Sequence, residues 1–176
     1  MLRVLTLLIA IGIASAAMAA EPKELTDARR EFESLKHPTE TDRVRYVTHL
    51  VRLRESFTRA DAETMFAIDK EVIRHPMPMP LEPNELRRRV IGKWTSPRHQ
   101  YLYRANGTWT MLPEFIDGEK ATHGIWRIEG NQFSQGKSEA DASQETIILL
   151  NSTDFVWSTR VVPYYMRRGD VFPWRE

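Results

Sequence analysis

Three side chains that bind soft metal ions alternate with prolines in the middle of the chain. They are His75, Met77 and Met79, and the segment 75–83 around them contains four prolines. Imidazole and thioether groups suit Cu(I), and alternate residues of a strand would present them on one side. Alternating prolines favour polyproline geometry instead, which splays such side chains apart. We therefore predict a stiff linker at residues 76–83, with its methionines lying on the neighbouring domain, and no metal site.

Two further groupings could be drawn as catalytic. Ser96 and His99 could act as nucleophile and base, but their proximity in sequence through Pro97 does not aim one side chain at the other. The second grouping is an acidic loop beside His123, formed by Glu114, Asp117 and Glu119. General acid/base catalysis needs such groups sheltered from water, whereas this stretch is typical of a solvated hairpin loop.

The sequence also lacks a phosphate-binding glycine loop, a zinc-protease histidine pair, a nucleophile elbow and a cysteine dyad. We predict no catalytic residues, no cofactor and no enzymatic activity.

The composition narrows the class of protein. The chain has 176 residues, of which 41% are hydrophobic and 28% charged, as expected for one globular domain, alone or with an appendage. Basic and acidic residues number 25 and 24, so the formal net charge of +1 gives no electrostatic footprint for nucleic acid. The absence of cysteine excludes disulfides, thiolate metal sites and cysteine nucleophiles.

The N-terminus has the three regions of a secretory signal peptide. A start that contains Arg3 is followed by an apolar run over residues 4–14 and then by the small-residue segment Ala17-Met18-Ala19. The apolar run is shorter than the roughly 20 residues that a membrane-spanning helix needs. We predict cleavage of residues 1–19 and an exported protein, periplasmic or secreted, with no membrane association afterwards. Export without cysteine favours a bacterial periplasm.

The remainder divides into two halves of different character. None of the eight glycines lies between residues 20 and 91, and all five tryptophans lie beyond that point. In segment 20–75 apolar residues recur at steps of three and four, and Thr39 with Asp42 and Thr58 with Asp61 resemble capping boxes. This pattern predicts an amphipathic helical hairpin or a three-helix segment.

Residues 84–176 are predicted to form a β domain that begins with a short helix at 84–91. Alternating apolar residues and turn signals predict an antiparallel barrel or open meander of six to seven strands. The predicted strands are 99–104, 108–112, 123–129, 131–135, 145–150 and 155–160, with 161–168 as the seventh. The predicted fold class is therefore α+β.

The apolar pattern also selects a register for the first predicted hairpin. A two-residue turn at 106–107 would leave both faces of the hairpin mixed. A three-residue loop at 105–107, with Gly107 in the left-handed region, places Tyr103 opposite Trp109 and Tyr101 opposite Met111. One face then becomes fully apolar, and we choose this register.

The same alternation extends the apolar face along the sheet. A two-residue turn at 130–131 places Ile128 opposite Phe133, and Ile148 and Leu150 are expected to share their face with Phe155 and Trp157. The resulting interior also contains Trp126. The residues that either bind a ligand or fill the core are Trp94, Tyr101, Tyr103, Trp109, Met111, Trp126, Phe133, Phe155 and Trp157.

Four short motifs together carry a family resemblance. They are Gly92-Lys93-Trp94 after the short helix, and the strand-forming segments 103–109, 123–128 and 146–150. With this strand rhythm, residues 84–168 resemble a lipocalin-like small domain of exported bacterial proteins. The resemblance implies that Trp94 lies at the closed end of a barrel beneath Arg160, Arg167 or Arg168, and that the protein binds rather than catalyses.

The sequence thus predicts an exported, non-enzymatic binding protein, whose partner is a small apolar ligand held in the barrel. The alternative is a protein-interaction module, such as an inhibitor or an immunity protein. A cavity in the barrel would favour the first function, and a filled core with an exposed apolar patch would favour the second.

Overall fold

The computed structural model describes residues 21–78, 82–113, 120–159 and 161–169. Within them the chain is α+β, as predicted. The helices are α1 Lys23–Glu33, α2 Glu40–Glu55, α3 Ala62–Ile73 and α4 Pro83–Val90. Several sequence predictions concern residues outside these ranges, namely the signal peptide at 1–19, Met79, the acidic residues Glu114, Asp117 and Glu119, and Arg160.

Both predicted capping boxes are present. The backbone N–H of Asp42 donates to the Thr39 hydroxyl (3.2 Å), and the backbone N–H of Thr39 donates to the Asp42 carboxylate (3.0 Å). Thr58 and Asp61 form the same reciprocal pair at a short 3₁₀ turn that leads into α3. Each pair satisfies N–H groups that a helix start leaves without partners, which fixes where α2 and α3 begin.

The β half is a closed antiparallel barrel of eight strands, so the predicted barrel is confirmed, whereas the open meander and the number of six to seven strands were wrong. Each strand pairs with the next, and the last pairs with the first. The strands are β1 Gly92–Thr95, β2 His99–Tyr103, β3 Thr108–Pro113, β4 Thr122–Glu129, β5 Gln132–Gly136, β6 Ser143–Leu150, β7 Asp154–Ser158 and β8 Pro163–Arg168. The strand that the sequence did not indicate is β1.

The predicted register of the β2–β3 hairpin is confirmed. Tyr103 lies opposite Trp109 and Tyr101 opposite Met111. Gly107 has a φ of +82°, a conformation that glycine adopts without a steric penalty. The next hairpin likewise pairs Ile128 with Phe133. The aromatic residues of these strands therefore share the inner face of the barrel.

The placement of Ile148 in the interior was wrong. The pairing of β6 with β7 shifts between Ile147 and Leu149, where a β-bulge changes the alternation. Ile147 and Leu150 therefore face the barrel core, whereas Ile148 and Leu149 face outwards.

The outward face of β6, β7 and β8 is covered by α1, α2 and α3. Ile148, Leu149, Val156 and Tyr165 on the strands form one buried cluster with apolar residues of the helices. The helical members include Leu25, Tyr46, Val47, Leu50, Val51, Ile68 and Val72. The helices and the barrel therefore bury a second core between them, outside the barrel interior.

Buried ion pairs join this helical layer to the barrel. The Tyr165 hydroxyl and the Arg54 guanidinium both donate to the carboxylate of Asp69, each at 2.6 Å. On the barrel side, Asp154 is almost fully buried and accepts from Arg52 at 2.8 Å and from Arg167 at 3.1 Å. These contacts fix how α2 and α3 sit on β7 and β8.

Candidate functional site: the mouth of the barrel

The two ends of the barrel are built differently. At one end α4 crosses the opening, and its Leu86 and Val90 join the barrel core. At this closed end the indole N–H of Trp94 donates to the carbonyl of Val90 (2.7 Å). The guanidinium of Arg168 lies over the face of the indole ring, 4.2 Å from the centroid. The predicted burial of Trp94 beneath an arginine of the last strand is confirmed.

The segment before α4 helps to seal the same end. Met77 is buried in the barrel core, and its backbone N–H donates to the carbonyl of Ile147 (2.9 Å). The side-chain amide of Asn131 donates to the Met77 carbonyl (2.8 Å). Met77 thus lies on the barrel, as the linker interpretation predicts.

All nine predicted interior residues lie together in the barrel. Eight of them are buried members of one cluster, and Met111 is half-buried against it. The fully buried rings touch one another: Phe155 lies 5.5 Å from Trp94 and 5.1 Å from Phe133, and Tyr103 lies 5.8 Å from Phe133, between ring centroids. The closed half of the barrel is therefore filled by its own side chains.

The opposite end, which we call the mouth, is lined by more polar residues. Its residues differ in burial: Gln135 and Tyr164 are half-buried, whereas Ser96 and Trp157 are buried. The inward-facing positions that define the mouth are Ser96, His99, Tyr101, Met111, Gln135, Glu145, Trp157 and Tyr164.

Hydroxyl groups form a chain across the mouth. The Tyr164 hydroxyl donates to Ser96 Oγ (3.2 Å), and the hydroxyl oxygens of Tyr164 and Tyr101 are 3.2 Å apart. Deeper in the barrel, the Tyr103 hydroxyl donates to Oε1 of Gln135 (2.9 Å). Burial raises the pKa values of Tyr101 and Tyr103 well above the ordinary range. The two phenols are therefore neutral hydrogen-bonding groups.

A carboxylate also faces into the barrel at the mouth. Glu145 on β6 lies directly opposite Phe133 on β5, which places both side chains on the inner face. Glu145 is 7% exposed, and its Oε2 atom is buried without a hydrogen-bond partner among the described residues. Burying a carboxylate oxygen without a hydrogen-bond donor costs free energy of folding. Oε2 of Glu145 is therefore an acceptor that still lacks a donor in the described part of the chain.

The groupings first considered for chemistry are engaged in other contacts. His75 lies 3.2 Å from the Glu71 carboxylate, which it shares with Arg29 and Tyr46. Ser96 Oγ accepts the backbone N–H of His99 and donates to its carbonyl, so Ser96 closes a turn. Within the described residues, no cluster of three or more His, Cys, Asp or Glu side chains could hold a metal ion.

A groove of about 220 Å³ lies between α1 and α2, away from the barrel. Phe32 and Tyr46 stack at 4.4 Å along it, and the groove is also lined by Leu35, Arg45 and His49. None of the helices in the described ranges combines the length and apolar character needed to span a bilayer.

Sequence reasoning missed Glu145, Gln135 and Tyr164 as residues of the mouth. Each is polar or lies in a stretch without clear alternation, so none was assigned to the interior. One available signal was the partner of Phe133, because the residue opposite an inward-facing ring must itself face inwards.

The eight antiparallel strands form a closed barrel in sequence order, and a short helix closes one end. This fold is lipocalin-like, as the resemblance implied. No family model and no curated protein matches the sequence. Among solved structures, a lipocalin-like protein from Bacteroides uniformis is 11% identical, with a TM-score of 0.40; the match covers 46% of this chain and 99% of that one. An uncharacterized protein from Bacteroides eggerthii is 10% identical, with a TM-score of 0.39, covering 45% and 98%. The assignment of the fold rests on the barrel topology itself.

Proposed function

We propose that the chain is an exported, non-enzymatic binding protein that holds a small ligand at the mouth of its barrel. The observation that carries this proposal is the buried Oε2 atom of Glu145, which has no hydrogen-bond partner among the described residues. A ligand that supplies this partner would offset the cost of burying the carboxylate.

The distribution of side chains supports the mouth over the deep interior. The closed half of the barrel is occupied by rings that already touch. At the mouth, Tyr164 and Gln135 are half-buried and Met111 is only partly covered, so solvent reaches these side chains. The rings of Trp157 and Tyr164, 4.7 Å apart, supply an apolar wall. Ligand sites commonly combine such walls with a few polar groups.

Native mass spectrometry of the protein purified from its own cell envelope tests this function. We expect a non-covalent adduct of small-molecule mass that dissociates at moderate collision energy. A bare protein mass, or an adduct with the mass of another protein, would contradict the proposal. The same experiment tests export, because the expected mass lacks residues 1–19.

A protein-interaction role is the second candidate, and exposed valines favour it. Val161 and Val162, in the loop between β7 and β8 at the mouth, are 68% and 58% exposed. Adjacent exposed apolar side chains occur at protein contact sites. An envelope protein that copurifies with the wild-type chain but not with a Val161→Ser, Val162→Ser variant would support this role.

A further inference from the structure

We propose that the group bound at the mouth is an organic cation, an ammonium or amidinium ion, with the Glu145 carboxylate as its counter-charge. This inference rests on the proposed function, and it names the class of ligand for the same site.

Glu145 differs from the other buried acidic side chains, which are paired with arginines. Among the described residues, four acidic side chains are buried: Asp69, Glu71, Glu145 and Asp154. Three of them are held by arginines: Asp69 by Arg54 (2.6 Å), Glu71 by Arg29 (2.9 Å) and Asp154 by Arg52 (2.8 Å). Glu145 has no such partner among the described residues. The three buried carboxylates of the helical layer and its contact with the barrel are therefore each paired with a cation, whereas Glu145, on the inner face of the barrel, is buried without one among the described residues.

The side chains around Glu145 indicate which chemical group would bind there. None of the inward-facing residues that define the mouth is a lysine or an arginine, so no side chain of this set supplies a positive charge to Glu145. The nearest strand neighbours on the inner face are Phe133 and Gln135 on β5 and Trp157 on β7. Aromatic faces attract organic cations, most strongly where water is excluded.

The groups around Glu145 suit an organic cation better than a metal ion. A hard metal ion takes several oxygen ligands, usually from more than one carboxylate. Among the described residues that define the mouth, Glu145 is the sole acidic side chain, and the groups beside it are rings and one amide. One carboxylate beside aromatic walls fits an ammonium or amidinium group attached to an apolar body. The hydroxyl chain of Tyr101, Tyr164 and Ser96 offers further hydrogen-bonding partners.

Two probes of nearly equal shape test the inference. Phenethylammonium carries the charge, and phenethyl alcohol is its neutral counterpart. Each is titrated to millimolar concentration against the full mature chain, followed by the indole N–H resonances in two-dimensional NMR spectra. Glu145→Gln is the test variant. Glu129→Gln is the matched control, because Glu129 is exposed on the outer face of β4.

We expect the wild type and Glu129→Gln to bind the ammonium probe about tenfold more tightly than the alcohol, and Glu145→Gln to lose this preference. Equal binding of both probes to the wild type would overturn the cation assignment while leaving the mouth as a binding site. Ammonium preference that persists in Glu145→Gln would overturn the role of Glu145. If neither probe shifts any resonance, both this inference and the proposed site at the mouth fail.

Discussion

The guanidinium of Arg168 lies 4.2 Å above the indole centroid of Trp94, and donates to the carbonyl of Ile91 at 3.1 Å and to that of Arg89. One arginine thus covers the ring that fills the closed end of the barrel and also holds the end of α4. Burial lowers the pKa of Arg168 from its ordinary value. This contact joins the last strand to the first and to the helix that plugs the barrel.

Truncating Trp94 should remove the centre of this arrangement. We expect Trp94→Ala to lower the free energy of unfolding by about 3 to 5 kcal/mol, the range for large buried rings. Leu102→Ala is the control, because Leu102 faces outwards and is 39% exposed; we expect it to cost less than about 1 kcal/mol. Urea unfolding midpoints of the two variants measure this difference in stability, and we expect the lower midpoint for Trp94→Ala. Equal midpoints would show that Trp94 does not anchor the barrel.

Adjacent tyrosines on β8 should respond differently to loss of their hydroxyls. Tyr165 faces the helices and donates to the carboxylate of Asp69, whereas Tyr164 faces the mouth and donates to Ser96. We expect Tyr165→Phe to cost about 1.5 to 3 kcal/mol, because its acceptor is charged, and Tyr164→Phe to cost about 0.5 to 1.5 kcal/mol. Thermal unfolding of both variants measures these costs. A larger loss from Tyr164→Phe would contradict the assigned roles of the two faces.

The ionisation of Glu55 should make stability depend on pH. Burial raises the pKa of Glu55 from 4.5 to about 7, with Arg52 opposing the shift and Asp154 adding to it. Between these pH values the folded state holds a proton that the unfolded state has released. Stability from this group is therefore complete below pH 4.5 and is lost as the pH rises to about 7.

We expect this loss to be on the order of 1 to 3 kcal/mol. Glu55→Gln should flatten the pH dependence of the urea midpoint relative to the wild type, whereas Glu129→Gln should leave it unchanged. A wild type and a Glu55→Gln variant with parallel profiles over this range would refute the assignment.

Glu145 and Asp154 should differ in what they contribute to folding. Asp154→Asn weakens the pairing of two arginines with a buried carboxylate, so we expect it to cost about 3 kcal/mol or more. Glu145→Gln replaces a carboxylate without a partner by a neutral amide, which is cheaper to bury. We therefore expect the ligand-free Glu145→Gln variant to be at least as stable as the wild type. A loss comparable to that of Asp154→Asn, measured in the same urea series, would assign Glu145 to folding instead.

The sequence predicted most of the barrel because its strands alternate. Tyr101, Tyr103, Trp109 and Met111 fall on one face in only one register, and the structure has that register. The strand β1 gave no such pattern, because it has four residues and directly follows a helix. It becomes a strand through pairing on both sides, with β2 and with β8, which only the closed barrel provides.

Two other features depend on tertiary structure. The run Ile147–Leu150 is continuously apolar because the barrel core lies on one side of it and the helices on the other, so alternation could not reveal the bulge. Glu145 follows Ser143 and Gln144, and a polar run of this kind is typical of a solvated strand end. Its inward orientation follows only from the pairing with β5.

The most direct test of the binding site is to locate the residues whose NMR resonances shift when the natural ligand binds. Ligand-free protein is titrated with the small-molecule extract of its native envelope, and the indole N–H resonances are assigned by single substitution. We expect the Trp157 resonance at the mouth to shift, while that of Trp94, whose indole N–H donates to the Val90 carbonyl at the closed end, stays in place. Shifts confined to Trp94, or no shift in either resonance, would contradict it.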